Sequence, residues 1–275
     1  MSSPIAAPTS NARGSSRGAE LAASLITLVV AGAWLLLLAR MASGARFQTD
    51  ECFHAYMAEW IARHGTLPRV IPELYSGFYY YYPPLFHLLG AGWSALLGHD
   101  ALRYLNVFVS ALLVAVMWVG CRRLGVPDAG RWAIALCAAS AWASAYAVRL
   151  YVEQLTTLLA VGAILLILRV RETQARWPVV GLGVVAGLAL TAKNSAWVIE
   201  GLLLALAVSY ALRRESAVAR AYGVAAGIAL AIASPMLVRN AVLYGSPVYP
   251  AFAPDLHPLL YQLNRSTFTP TPATF

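Results

Sequence analysis

The chain has 275 residues, of which 60% are hydrophobic and only 12% charged, about half the ~25% charge of ordinary soluble domains. So little charge excludes a water-soluble globular domain and points to an integral membrane protein, with lipid as the solvent that fixes its fold. The formal charge of +8 comes from short basic clusters between apolar runs, which is a topology signal and not a nucleic-acid footprint.

Residues 1–20, rich in Ser, Ala, Arg and Gly, predict a disordered cytoplasmic leader. The run 21–39 carries no charge. It is too long for a signal-peptide core and reads as a retained span. After it comes "FQTDECFHAYMAEWIARHG" (47–65), in which Phe53, Tyr56, Met57, Trp60 and Ile61 recur at helical spacing. Glu51, His54, Glu59 and Arg63 fall mostly elsewhere on the circumference. The pattern predicts an amphipathic helix over 51–64 lying on the outer leaflet, with Gly65 as its stop and Thr49 or Asp50 as its N-cap. The run 83–97 reaches only about 22 Å as a helix, short of a ~30 Å hydrocarbon core. It is expected near the outer surface, with its Tyr-rich entry and Trp93 at headgroup level.

Further apolar runs at 104–121, 132–148, 154–168, 178–191, 196–212 and 221–238 bring the expected total to seven spans in an all-α polytopic fold. Arginines cluster at Arg122, Arg123 and Arg131, at Arg169, Arg171 and Arg176, and at Arg213, Arg214 and Arg220. Placing these clusters and the leader in the cytoplasm requires an even number of crossings before the first cluster, which leaves 83–97 outside the count. The extracytoplasmic face then receives the loop 40–103, the turns 149–153 and 192–195, and the segment 239–275 with its polar tail. The transmembrane module is 21–238. A rival topology, with 83–97 spanning and the N-terminus outside, would put the same loops in the cytoplasm.

On the first topology Asp50, Glu51, Glu153, Lys193 and Arg239 share one lipid–water boundary. Each has an ordinary structural role open to it: Asp50 as N-cap, Glu51 with it as an acidic pair at a helix start, Glu153 as an acid opening a span, Lys193 and Arg239 as cations at span ends. Together they suit a reaction in which a carboxylate deprotonates a hydroxyl and a cation takes the charge of a departing phosphate. A lipid carrier would hold that phosphate at the membrane surface.

The order Thr49-Asp50-Glu51, an amphipathic helix, then Tyr80-Tyr81-Tyr82-Pro83-Pro84-Leu85-Phe86 resembles the first outer loop of GT-C-fold membrane glycosyltransferases, in particular the protein O-mannosyltransferase and aminoarabinose transferase group. "RLYVE" (149–153) resembles that group's second acidic loop, "GLALTAKNSAW" around Lys193 its Lys-containing turn, and "PMLVRNAVLYGSPVYP" (235–250) its outer segment after the seventh span. The resemblance covers about residues 20–250. It implies inverting transfer of a sugar from a polyprenyl-phosphate donor to an acceptor glycan, lipid or protein on the extracytoplasmic face. Asp50 would be the base, Glu51 and Glu153 would line the site, Lys193 or Arg239 would contact the donor phosphate, and Tyr81, Tyr82 and His54 would contact substrate. The tyrosine run also reads as an interfacial aromatic belt.

The chain departs from the group at Tyr82, where relatives carry a Lys before the proline, and at Glu153, where an Asp is more usual. Family members are longer, so the stop at Phe275 is read as a truncated product or one relying on a missing segment. With one Lys against nineteen Arg, the composition points to a GC-rich bacterial genome and hence to the bacterial inner membrane.

No cofactor is expected, with a divalent cation left open. His54, His64, His87, His99 and His257 show no metal-ligand spacing. Gly181, Gly183 and Gly187 read as a helix-packing face. Two other classes stay in play: a transporter, which places ionisable residues at the bilayer midplane, and a catalytically silent membrane subunit.

Overall fold

The computed structural model describes residues 10–48, 50–69, 80 and 82–248, with side chains from residue 17 onward. Every described element is a helix: α1 (Ser10–Gly44), α2 (Asp50–His64), α3 (Leu85–Leu97), α4 (Leu105–Arg123), α5 (Pro127–Ala139), α6 (Ala141–Val148), α7 (Val152–Thr173), α8 (Arg176–Ala192), α9 (Trp197–Leu212) and α10 (Ser216–Tyr244). Short 3-10 turns precede α4 and α9. Five stretches are long and apolar enough to cross a membrane: Arg17–Gly44, His99–Arg123, Val152–Thr173, Asn194–Leu212 and Ser216–Tyr244. Their outward faces are apolar. Leu21, Leu36, Leu212 and Val242 are each more than 70% exposed, a surface that only lipid covers without cost.

Inside, small residues set the helix spacing. α8 packs along α10, whose Ala225, Ala229 and Ala233 are fully buried. A Cβ at Gly183 would meet Ile228 Cβ at 2.6 Å and the Ala225 carbonyl oxygen at 2.8 Å, and one at Gly187 would meet Ile232 Cβ at 2.7 Å and the Ala229 carbonyl at 2.9 Å. Backbone lies on the far side of both contacts, so neither can yield by a rotamer change. Gly181 is different, because its nearest neighbour is a flexible Leu166 methyl at 3.7 Å. Gly183→Ala is therefore expected to lower thermal stability by roughly 1–3 kcal/mol through overpacking, while Gly181→Ala leaves it unchanged. Melting curves of the two variants in one detergent check this.

The helices run between two ends. At one, the three arginine clusters meet. Glu20 pairs with Arg131, and Gly130 seats α5 against Cys121 and Met117 of α4. Arg123 and Arg169 line one cleft. Tyr222 Oη donates to the Ile167 carbonyl (3.0 Å) and stacks on Tyr210, beneath Arg213. At the other end lie the C-terminus of α1, where Arg103 donates to the Ser43 carbonyl, α2, α3, the link 149–151 and the start of α9. The separation expected from the arginines alone is thus built into the packing.

Three expectations need adjustment. Helix begins at Ser10, within the segment read as a disordered leader. The run 132–148 is interrupted: Ser140 is extended (φ −85°, ψ 118°) and its Oγ accepts from Ala143 N at 3.2 Å, capping α6. A serine that bonds its own backbone this way competes with helix continuation. The α2 boundaries match, and Phe53, Met57 and Ile61 are buried as expected, but Glu51 and His54 are buried too. The cause is that α2 is wedged between α3 and the link 149–151 and is covered on more than one face. On the α3 side the approach is made through Gly90, where a Cβ would meet Ala58 Cβ at 2.9 Å.

Candidate functional site

The site is assembled around the N-terminus of α2. Glu51 is 2% exposed, and its carboxylate accepts from Leu150 N (2.9 Å), Arg149 Nη1 (3.0 Å) and Gln48 N (3.2 Å). These bonds satisfy a buried charge that would otherwise be costly. They also clamp α2 to the extended link between α6 and α7. The link is held from the other side by Asn106, whose Nδ2 donates to the Arg149 and Tyr151 carbonyls, and below it Gln154 donates to Ser110 Oγ at 2.8 Å. Glu51, expected to line the site, is the carboxylate that joins α2 to this link.

One turn on, His54 forms a buried chain with two groups from the next segment. Its Nδ1 lies 2.8 Å from His87 Nε2, and His87 Nδ1 lies 2.6 Å from Tyr80 Oη. Rings of Phe53, Phe86, Tyr82 and Tyr151 enclose His54 at 5.4–6.4 Å. Burial pushes the His54 imidazole down to about 4, against the opposing pull of Asp50 and Glu153. Burial, then the neighbouring His54, holds His87 well below its ordinary value, and burial raises the Tyr80 phenol far above its own. At neutral pH all three are uncharged, so each link in the chain is one donor facing one acceptor, and reversing one tautomer reverses the other.

The lowered imidazoles make stability depend on pH. Between pH 6.5 and 4 the unfolded chain binds a proton at His54 that the folded chain does not, so stability falls as pH drops through that window. From pH 7 to 5 His54 alone is expected to remove about 2 kcal/mol, with His87 adding in the same direction. Melting temperatures at the two pH values check this, and His54→Gln should flatten the slope.

Glu153, in the first turn of α7, accepts from Lys193 Nζ at 2.6 Å. Lys193 ends α8 in extended conformation (φ −153°, ψ 140°), which swings its side chain across to α7. The pair is about a third exposed at each partner, so it adds little to stability. Asp50, Glu153 and Lys193 all lie near enough to His54 to act on it electrostatically, and of the four only Glu153 and Lys193 are in direct contact. Asp50 is exposed and makes no ion pair or hydrogen bond among the described residues. Tyr82 is half-buried with its ring on Phe53 at 5.0 Å. Tyr81 and Thr49 lie outside the described residues.

Arg239 has a different occupation from the expected phosphate contact. Its Nη2 donates to the Pro68 carbonyl at 2.8 Å, and both Nη atoms reach the Tyr80 carbonyl at 3.3 Å. Tyr80 and Tyr244 place their rings 5.5 Å from the guanidinium. Tyr244 Oη adds a 2.7 Å bond to the same Tyr80 carbonyl. Arg239 thereby fastens the two ends of the segment 68–80 to α10.

Sequence reasoning gave His87 no part in this cluster, and it met Tyr80 and Arg149 only as members of the tyrosine run and of the segment 149–153. It also passed over Glu200, which sits one turn inside α9, 2% exposed, with neither carboxylate oxygen hydrogen-bonded among the described residues. Among the described residues no group of three or more His, Cys, Asp or Glu is arranged to hold a metal ion. No protein-family model, curated protein or solved structure matches the chain.

Proposed function

We propose that the chain is a membrane glycosyltransferase of GT-C type, moving a sugar from a polyprenyl-phosphate donor to an acceptor hydroxyl or amine, with inversion. In this reading seven passes cross the bacterial inner membrane: the five long helices, α8 at about 26 Å, and the broken pair α5–α6. The arginine end faces the cytoplasm by the positive-inside rule, and the Asp50 end faces outward.

The observation that carries the reading is the convergence of Asp50, His54, Glu153 and Lys193 at the end of the bundle away from the arginine clusters. The roles divide by what each group already binds. Glu51 has three donors, and Glu153 has Lys193. Asp50 is the carboxylate left to take a proton from the acceptor. Lys193 faces the departing phosphate, whose oxygens compete with Glu153 for its ammonium. The bond from the anomeric carbon to the phosphate oxygen breaks as the acceptor oxygen or nitrogen attacks from the opposite face, leaving polyprenyl phosphate. Lodging the site at the membrane boundary keeps the carrier's tail in lipid while its head group reacts.

Glu200 is the observation on the side of a transporter, since buried intramembrane carboxylates mark ion paths. It lies near the outer end of α9, however, and the middles of the long helices hold Ala, Leu, Val and Gly.

The test is direct. Purified full chain in detergent is given polyprenyl-phosphate-linked hexoses and pentoses, and release of polyprenyl phosphate is followed with and without bacterial envelope acceptors. Donor-dependent release supports the reading. Absence of release and of donor binding across the panel rejects it.

A further inference from the structure

A cleft of about 600 Å³ opens at the arginine end of the bundle, where α4 and α7 finish and α8 begins. Two of its walls carry Arg123 and Arg169, the rim carries Trp177, and Leu165 and Leu166 form an apolar side. Arg123 is exposed and has no ion-pair or hydrogen-bond partner among the described residues. Arg169 gives one Nη1 bond to Glu172, at 3.1 Å, which leaves its remaining donors open on the other edge of the fork. Trp177 is 79% exposed, an unusual position for indole unless it sits at the headgroup level of a bilayer. Gly120 in the lining lets Leu165 lie close on α4, where a Cβ would meet Leu165 Cδ1 at 2.5 Å.

We propose that this cleft binds an anionic phospholipid, with Arg123 and Arg169 on the headgroup phosphate and an acyl chain along Leu165 and Leu166. Two guanidinium groups supply forked donors suited to phosphate oxygens. A free phosphate would use those donors equally well but has no use for the leucine wall. α4 and α7 are both long enough to cross a membrane, which sets their ends, and the cleft between them, at the lipid–water boundary. Basic clefts between membrane helices at that depth are matched to acidic headgroups. The inference rests on the helices crossing a bilayer and is independent of glycosyl transfer at the other end.

Native mass spectrometry of the purified full chain tests it, with phosphatidylglycerol titrated in and phosphatidylcholine as the zwitterionic comparison. Retention of phosphatidylglycerol over phosphatidylcholine is expected. Arg123→Gln and Arg169→Gln should each weaken it about fivefold and the double variant roughly 30-fold, whereas Arg213→Gln/Arg214→Gln, at the same end but outside the cleft, should stay within about threefold. The single substitutions act on solvent-reaching side chains, so each remains informative even where the double variant proves poorly behaved. Equal loss in the Arg213/Arg214 control would reduce the effect to general surface charge and overturn the site. Equal retention of the two lipids would overturn it as well, as would displacement of the lipid by inorganic phosphate in tenfold excess.

Discussion

On the proposed reading, Asp50→Asn is expected to lower the rate of sugar transfer by roughly 10²–10⁴-fold, the range that a positioned general base contributes, while leaving membrane insertion and melting temperature unchanged. The second half of the expectation comes from the surroundings. Asp50 is exposed at the first position of α2 and has no hydrogen-bonded partner among the described residues, so an isosteric amide there breaks nothing in the fold. Its neighbours Glu51 and His54 are buried and bonded, and the same exchange at Glu51 would strip charge from the clamp on Leu150 and Arg149. Comparing the two separates chemistry from architecture: Asp50→Asn should fail in transfer at full stability, and Glu51→Gln should lose both together. If Asp50→Asn transfers sugar within a few-fold of the parent chain, Asp50 is only a helix-start residue and the base lies elsewhere.

What could be read in advance was whatever repeats locally or follows from the solvent. The α2 register, the packing role of Gly183 and Gly187, and the gathering of the three arginine clusters at one end all follow from helical spacing and from the cost of charge in lipid. Contacts spanning long stretches of chain left no such trace. The chief partner of Glu51 is a backbone N–H 99 residues away, and a backbone donor has no signature in a sequence. His54 and His87, 33 residues apart, meet because Gly90 lets α3 lie close on α2. Neither histidine belongs to a spacing motif. The Ser140 break hid inside "CAASAWASA" (137–145), whose composition passes for a continuous span. Glu200 was masked by the leucines that follow it. Arg239 and Lys193 looked alike as cations at span ends, and only the segment returning through Tyr80 distinguishes the one bonded to carbonyls from the one opposite a carboxylate.

That distinction sets the second large effect. Lys193→Gln is expected to cut transfer by roughly 10²–10³-fold, the size seen when one group stabilising a developing charge is removed, with at most about 1 kcal/mol lost in stability because its pair with Glu153 is partly solvated. Arg239→Gln should do the reverse. It would release the Pro68 and Tyr80 carbonyls that the guanidinium holds, lowering stability first and transfer only as the Tyr80–His87–His54 chain loosens. Glu153→Gln separates the roles further. Freed from the 2.6 Å contact, the Lys193 ammonium meets the donor phosphate without a competitor, so donor binding should tighten, and in the double variant that gain should vanish. Transfer kinetics and donor titrations on the four variants read this pattern. Lys193→Gln with undiminished turnover and donor affinity would remove Lys193 from the reaction and leave its pair with Glu153 as a surface contact between α7 and α8.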